Sequence, residues 1–73
     1  MQVTATIKTL GFVKIVGEIV SAKNDFYKVK VRSAKAILTS DALMNSLGND
    51  YAKFLNETND VIDVSKKSAK VSK

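Results

Sequence analysis

The sequence has no cysteine and no histidine, and only three glycines in 73 residues. Without cysteine there is no disulfide and no thiolate ligand, and without histidine the commonest zinc ligand is missing too. The same absences remove the usual general base of neutral-pH catalysis and the readiest covalent nucleophile. A serine nucleophile would be left with lysine as its base, and no spacing selects one. No glycine-rich phosphate loop or dinucleotide fingerprint is present. Asp60 and Asp63 are unsupported as a magnesium pair, since that ion leans on substrate phosphates in a defined pocket. The expectation is a non-catalytic protein with no cofactor, no metal and no small-molecule substrate.

Long apolar runs are lacking as well. The longest are a few residues, against about 20 for a membrane-spanning helix. The stretch MQVTATIKTLGFV has neither an early basic region nor a sustained apolar segment, so no secretory leader is expected there. Membrane partners are therefore not expected, and the expected location is intracellular, in the cytoplasm or within a particle assembled there. Asn56-Glu57-Thr58 matches the N-glycosylation pattern, which without a leader reads as coincidence. A chain of this length is one domain, and with no covalent or metal staple its stability is marginal. Oligomerisation is the remaining common remedy.

What is present is an uneven charge distribution. Residues 1–39 carry seven basic and two acidic side chains, residues 40–64 carry Lys53 against five acids, and residues 65–73 add four lysines. The chain runs basic, acidic, basic. Such asymmetry attracts nucleic acid, and it attracts a second copy of the same protein equally well.

Hydrophobic periodicity supplies the elements. In residues 2–10, Val3, Ala5 and Ile7 alternate with polar neighbours, the pattern of a half-buried strand, and Gly11 ends it in a turn. Residues 12–22 are apolar on both faces, as in a central strand, with Gly17 marking a bend in a curled sheet. Ala22 to Asp25 reverse the chain. In residues 26–32, Tyr27, Val29 and Val31 point to the core and Phe26, Lys28, Lys30 and Arg32 point away. Ser33 to Lys35 read as a break, and Ala36 to Thr39 as a further short strand or the lead-in to a helix. A helix is expected from near Ser40, capped by Ser40 or Thr39, with Asp41 complementing its dipole. Leu43, Leu47, Tyr51, Phe54 and Leu55 form its stripe. Gly48-Asn49-Asp50 suggests either one helix with a weak point or two short ones with Asp50 capping the second, and two is the expected arrangement. Asp60 to Val64 read as a closing strand. The predicted fold is thus α+β: a small antiparallel sheet of three to four strands, then a helical segment, with residues 1–64 as one domain and residues 65–73 as a basic C-terminal tail.

Gly17-Glu18-Ile19, followed by a polar loop and an alternating strand, resembles the middle of SH3-like and Sm-like barrels over about a third of the chain. The resemblance implies a curled, barrel-like sheet and carries over no binding residues, since Lys23 stands where the Sm-like pattern has an acid and no Arg-Gly motif follows residue 33.

Two functions remain. The leading expectation is an assembly or interaction protein, a small structural or accessory component used in several copies in a larger particle, viral or cellular. Its partners are then copies of itself or other protein subunits, with Lys66, Lys67, Lys70 and Lys73 as a partner-binding tail and Phe54 and Leu55 as the subunit contact. The alternative is a small basic nucleic-acid-binding protein. Lys14, Lys28, Lys30 and Arg32 would neutralise phosphates and Phe26 would stack on an unpaired base.

Overall fold

A computed structural model describes residues 1–72, with side chains through Val71. The chain forms β1 (Gln2–Ile7), β2 (Val13–Ala22), β3 (Phe26–Ala36), α1 (Ala42–Thr58), β4 (Val61–Ser65) and β5 (Ala69–Ser72). The fold is α+β. All strand pairs are antiparallel, in the order β4-β3-β2-β1-β5. β2 is the middle strand, as its two apolar faces imply.

The sheet has five strands where three to four are expected from the sequence. The extra strand comes from the basic C-terminus: Ala69 to Ser72 pair with β1, Val3 opposite Val71 and Ala5 opposite Ala69. Residues 65–69 are no free tail either. Ser65 closes β4, and the Ser68 amide donates to the Ser65 carbonyl (3.0 Å) in a tight turn.

That turn dictates the sheet's shape. β4 and β5 lie at opposite edges, yet three residues join them. Such a link reaches about 14 Å, whereas a flat five-stranded sheet holds its edges about 19 Å apart. The sheet therefore curls, as the barrel resemblance implies, but it stays open, with no ladder joining β4 to β5.

The curl is built where β2 and β3 slip past each other. Pairing skips Arg32 between Val16–Ser33 and Gly17–Val31, and skips Val20 between Ile19–Val29 and Ser21–Lys28. Each extra residue bends its strand and increases the twist. Gly17 is required at the first slip, because a Cβ there would run into the Lys30 carbonyl and the Val29 side chain. The slip at Arg32 also explains why β3 runs on to Ala36 and does not break at Ser33. The inward set shifts phase, from Tyr27, Val29 and Val31 to the half-buried Ala34 and Ala36.

The core is aliphatic. Val3, Ala5, Val13, Ile15, Val29, Val31 and Val64 from the strands meet Ala52 and Leu55 from the helix. No buried polar side chain interrupts it among the described residues. Burial of this kind supplies most of the folding energy, and truncating a side chain such as Leu55 to alanine costs about 2–5 kcal/mol.

α1 is one continuous helix and not two. Gly48 is no break: it is buried, and a Cβ there would sit 3.2 Å from the Phe12 carbonyl and 3.5 Å from the Ala36 Cβ. The helix uses its smallest residue where it lies closest to the sheet. Asp50 accordingly caps nothing, and the N-cap is Asp41, one residue beyond the two expected from sequence. Its carboxylate accepts from the amides of Leu43 (3.0 Å) and Met44 (3.2 Å). Thr39 supports the cap, its hydroxyl accepting from the Asp41 amide (3.1 Å). Asn59 ends the helix in left-handed backbone, φ 49°, its amide returning to the Leu55 carbonyl.

Candidate functional site: two outward faces

β4 covers β3 only as far as Lys30, which leaves the rest of that edge to the helix. Asn56 supplies a stand-in strand: its Oδ1 accepts from the Ala34 amide and its Nδ2 donates to the Ala34 carbonyl, both at 2.8 Å. The Asn59 side chain donates to the Val31 carbonyl (3.2 Å), and the Val31 amide donates to the Asp60 carbonyl (3.0 Å). An edge that would otherwise invite pairing is thus closed from within. The Asn56 amide is thereby engaged within the fold.

The outer face of the sheet carries the basic residues singled out in the sequence, and it divides into two ends. At the β4 end two of the three cations are matched. Arg32 Nη2 lies 2.6 Å from Glu18 Oε1, and Lys28 Nζ lies 3.6 Å from Asp63 Oδ1. Phe26 is half-buried opposite Ser65, which leaves little of its ring for stacking. Lys30 faces Glu18 across the ladder, with Glu18 committed to Arg32. The cleft here, about 340 Å³, is lined by Glu18, Lys30, Val31, Arg32 and Asn59. So of the predicted nucleic-acid face, Lys28 and Arg32 have carboxylate partners.

Toward β1 and β5, and at the C-terminal end of β3 that β4 does not reach, the charges are unmatched. Lys14 pairs directly with Lys35 across the β2–β3 ladder, and Lys70 sits two strands away opposite Thr4. None of these three lysines makes an ion pair with a described residue. Lys14 and Lys70, with Thr4, Thr6 and Ser68, border a depression of about 250 Å³. Like charges directly opposed on one sheet face repel, so this end is held basic against its own interest. Lys35 was missed from the sequence because only the bulge at Arg32 turns it to the same face as Lys14.

The predicted tail lysines disperse. Lys66 lies 5.1 Å from the centroid of the Tyr27 ring, a cation–π distance. Lys67 is in the β4–β5 turn, Lys70 joins Lys14, and Lys73 lies outside the described residues.

The helix has two faces of its own. Gly48, Ala52 and Leu55 are turned inward. Leu55 is fully buried, so the expected subunit contact at this residue is ruled out: its side chain is spent on the core. Phe54 points out, and it does not stand alone. Leu43, Leu47 and Phe54 are 69%, 39% and 49% exposed and fall on one side of the helix, Leu43 and Leu47 one turn apart and Phe54 two turns further on. Asp50 and Glu57 border this stripe, both exposed, and Lys53 beside them pairs with neither. Tyr51 lies between stripe and core. Burial raises its phenol above the ordinary 10.0, and the Asp60 carboxylate adds to the rise.

No helix is long and apolar enough to cross a membrane among the described residues. Compared with protein-family models, curated proteins and solved structures, the chain finds no match.

Proposed function

We propose that the protein is a non-catalytic assembly component that docks against other protein subunits through the outward face of α1. The supporting observation is the Leu43–Leu47–Phe54 stripe, apolar and uncovered on a folded chain whose core is already complete without it. Exposed apolar side chains on one helix side with charged neighbours suit a protein contact, because burying them releases water while the charges set orientation. The small size of the domain and its lack of a disulfide or histidine–cysteine metal staple favour use in several copies, as in a larger particle.

Phe54→Asp tests this. Phe54 is half-exposed and outside the core, so the variant keeps its helical circular dichroism, while wild-type association by sedimentation shifts to monomer. A wild-type chain that stays monomeric at every concentration, with and without partners, rules the reading out.

A second reading has an observation behind it. The unmatched Lys14–Lys35–Lys70 end suits a phosphate backbone better than the Phe26–Arg32 strand does. Single- and double-stranded oligonucleotides at two salt concentrations test it, since phosphate binding weakens steeply as salt rises. Lys14→Glu with Lys35→Glu abolishes that binding if the reading holds.

A further inference from the structure

The acid-bordered helix stripe and the unmatched lysine end are complementary, and one chain carries both. Resting on the assembly reading, we infer that the partner of the stripe is a second copy of this chain, docked through its outer sheet face around Lys14, Lys35 and Lys70, so that copies join head to tail.

The spacings agree. Asp50 and Glu57 are seven residues apart on one helix side, about 10.5 Å along the axis. Lys14 and Lys70 are two strands apart and offset by one pair, about 12 Å on the sheet surface. Each carboxylate of the border therefore has a lysine to meet. Thr4 and Thr6 lie between the lysines, and beside Lys14 on β2, in the same row as Lys70, the sheet offers Val16, half-buried and flanked by Thr4 and Ser33 in the ladder, as an apolar seat for one side chain of the stripe. On the receiving side, docking relieves the Lys14–Lys35 repulsion by supplying the acids that the fold itself does not.

The symmetric alternative is worse. α1 spans Ala42–Thr58, so its midpoint is Asp50. Two copies packed stripe to stripe about a twofold axis at that point set Asp50 against Asp50. Moving the axis toward the middle of the stripe drives Asp50 onto Leu47. Either arrangement draws Asp50 into an apolar seam, where Lys53 on the same helix is its nearest cation, whereas the lysine end of the sheet supplies three. A head-to-tail contact uses two different surfaces, so every bound copy still presents one of each, and the association propagates into a ring or an open chain.

A charge-exchange experiment on the full chain decides it. Asp50, Glu57, Lys14 and Lys35 are all exposed, so reversal at these positions leaves the fold intact, as circular dichroism checks. Asp50→Lys with Glu57→Lys, and separately Lys14→Glu with Lys35→Glu, each weaken self-association in sedimentation by about a hundredfold or more. Mixed in equal amounts, the two variants associate again, because each now presents the surface the other lost. Association also weakens as salt rises. Three results overturn the inference. If the reversals leave association unchanged while Phe54→Asp abolishes it, assembly stands and the head-to-tail geometry is wrong. If the mixture stays apart, the two faces are not partners. If wild-type chains never associate and labelled oligonucleotides bind the lysine end instead, the assembly reading falls with it.

Discussion

The two ends of the sheet's outer face carry three cations each and differ in the acids that meet them. The β4 end holds Lys28, Lys30 and Arg32, and the fold brings Asp63 to Lys28 and Glu18 to Arg32. The other end, where β2 runs beside β1 and β3 runs past β4, holds Lys14, Lys35 and, on β5, Lys70, with threonine and serine for neighbours, and no acid arrives. The lesson is that a basic segment is not a basic surface. What a partner meets is the charge left after cross-strand pairing, and here that charge sits at the end less conspicuous in the sequence. The boundary between the ends is the slip at Gly17 and Arg32, where β2 and β3 pass from pairing beside β1 to pairing beside β4.

The comparison is broken most severely at that boundary. Gly17→Ala forces a Cβ against the Lys30 carbonyl and the Val29 side chain, and thermal or urea unfolding is expected to show a loss of about 2–4 kcal/mol. An unchanged midpoint would mean the bend is not fixed by close approach. A smaller effect comes from the helix-supplied edge that closes β3. Asn59→Ala removes the hydrogen bond to the Val31 carbonyl and places alanine at φ 49°, for an expected loss of about 1–2 kcal/mol. Asn59→Gly recovers the backbone part of that loss and not the hydrogen bond, so the difference between the two variants separates the causes. The smallest effects set the two ends directly against each other. Lys35→Glu converts an opposed like pair into an opposite one and is expected to stabilise by about 0.5–1 kcal/mol at low salt. Asp63→Asn removes an exposed pair at the other end and is expected to cost at most about 0.5 kcal/mol. If the two changes had the same sign, the contrast between the ends would not exist.

Much of the fold was legible in the sequence because it rests on local periodicity. Val3, Ala5 and Ile7 on one face, Val13, Ile15 and Gly17 on the next, and Tyr27, Val29 and Val31 after the Asn24-Asp25 reversal are inward or half-buried in the structure, in those positions. The helix was legible too, but not its continuity. Gly48 is a poor helix residue by propensity, and its use as a point of close packing shows only when Phe12 and Ala36 stand beside it. Of the candidate site residues, Phe54 was recognisable, whereas Leu55 was misplaced by one helical step, about 100° of rotation. Periodicity gave a stripe too broad to say which edge of it faces the sheet.

By itself, then, the sequence determined which residues alternate, where the chain turns, and that neither disulfide, thiolate nor histidine chemistry is available. Those properties depend on residue type and on neighbours a few positions away. The fifth strand, the phase shift that brings Lys35 beside Lys14, the neutralisation of Arg32 and Lys28, and the outward stripe of α1 were decided only by tertiary structure. Each depends on pairing between residues distant in the chain, and a single extra residue in a ladder is enough to reverse which face a side chain occupies.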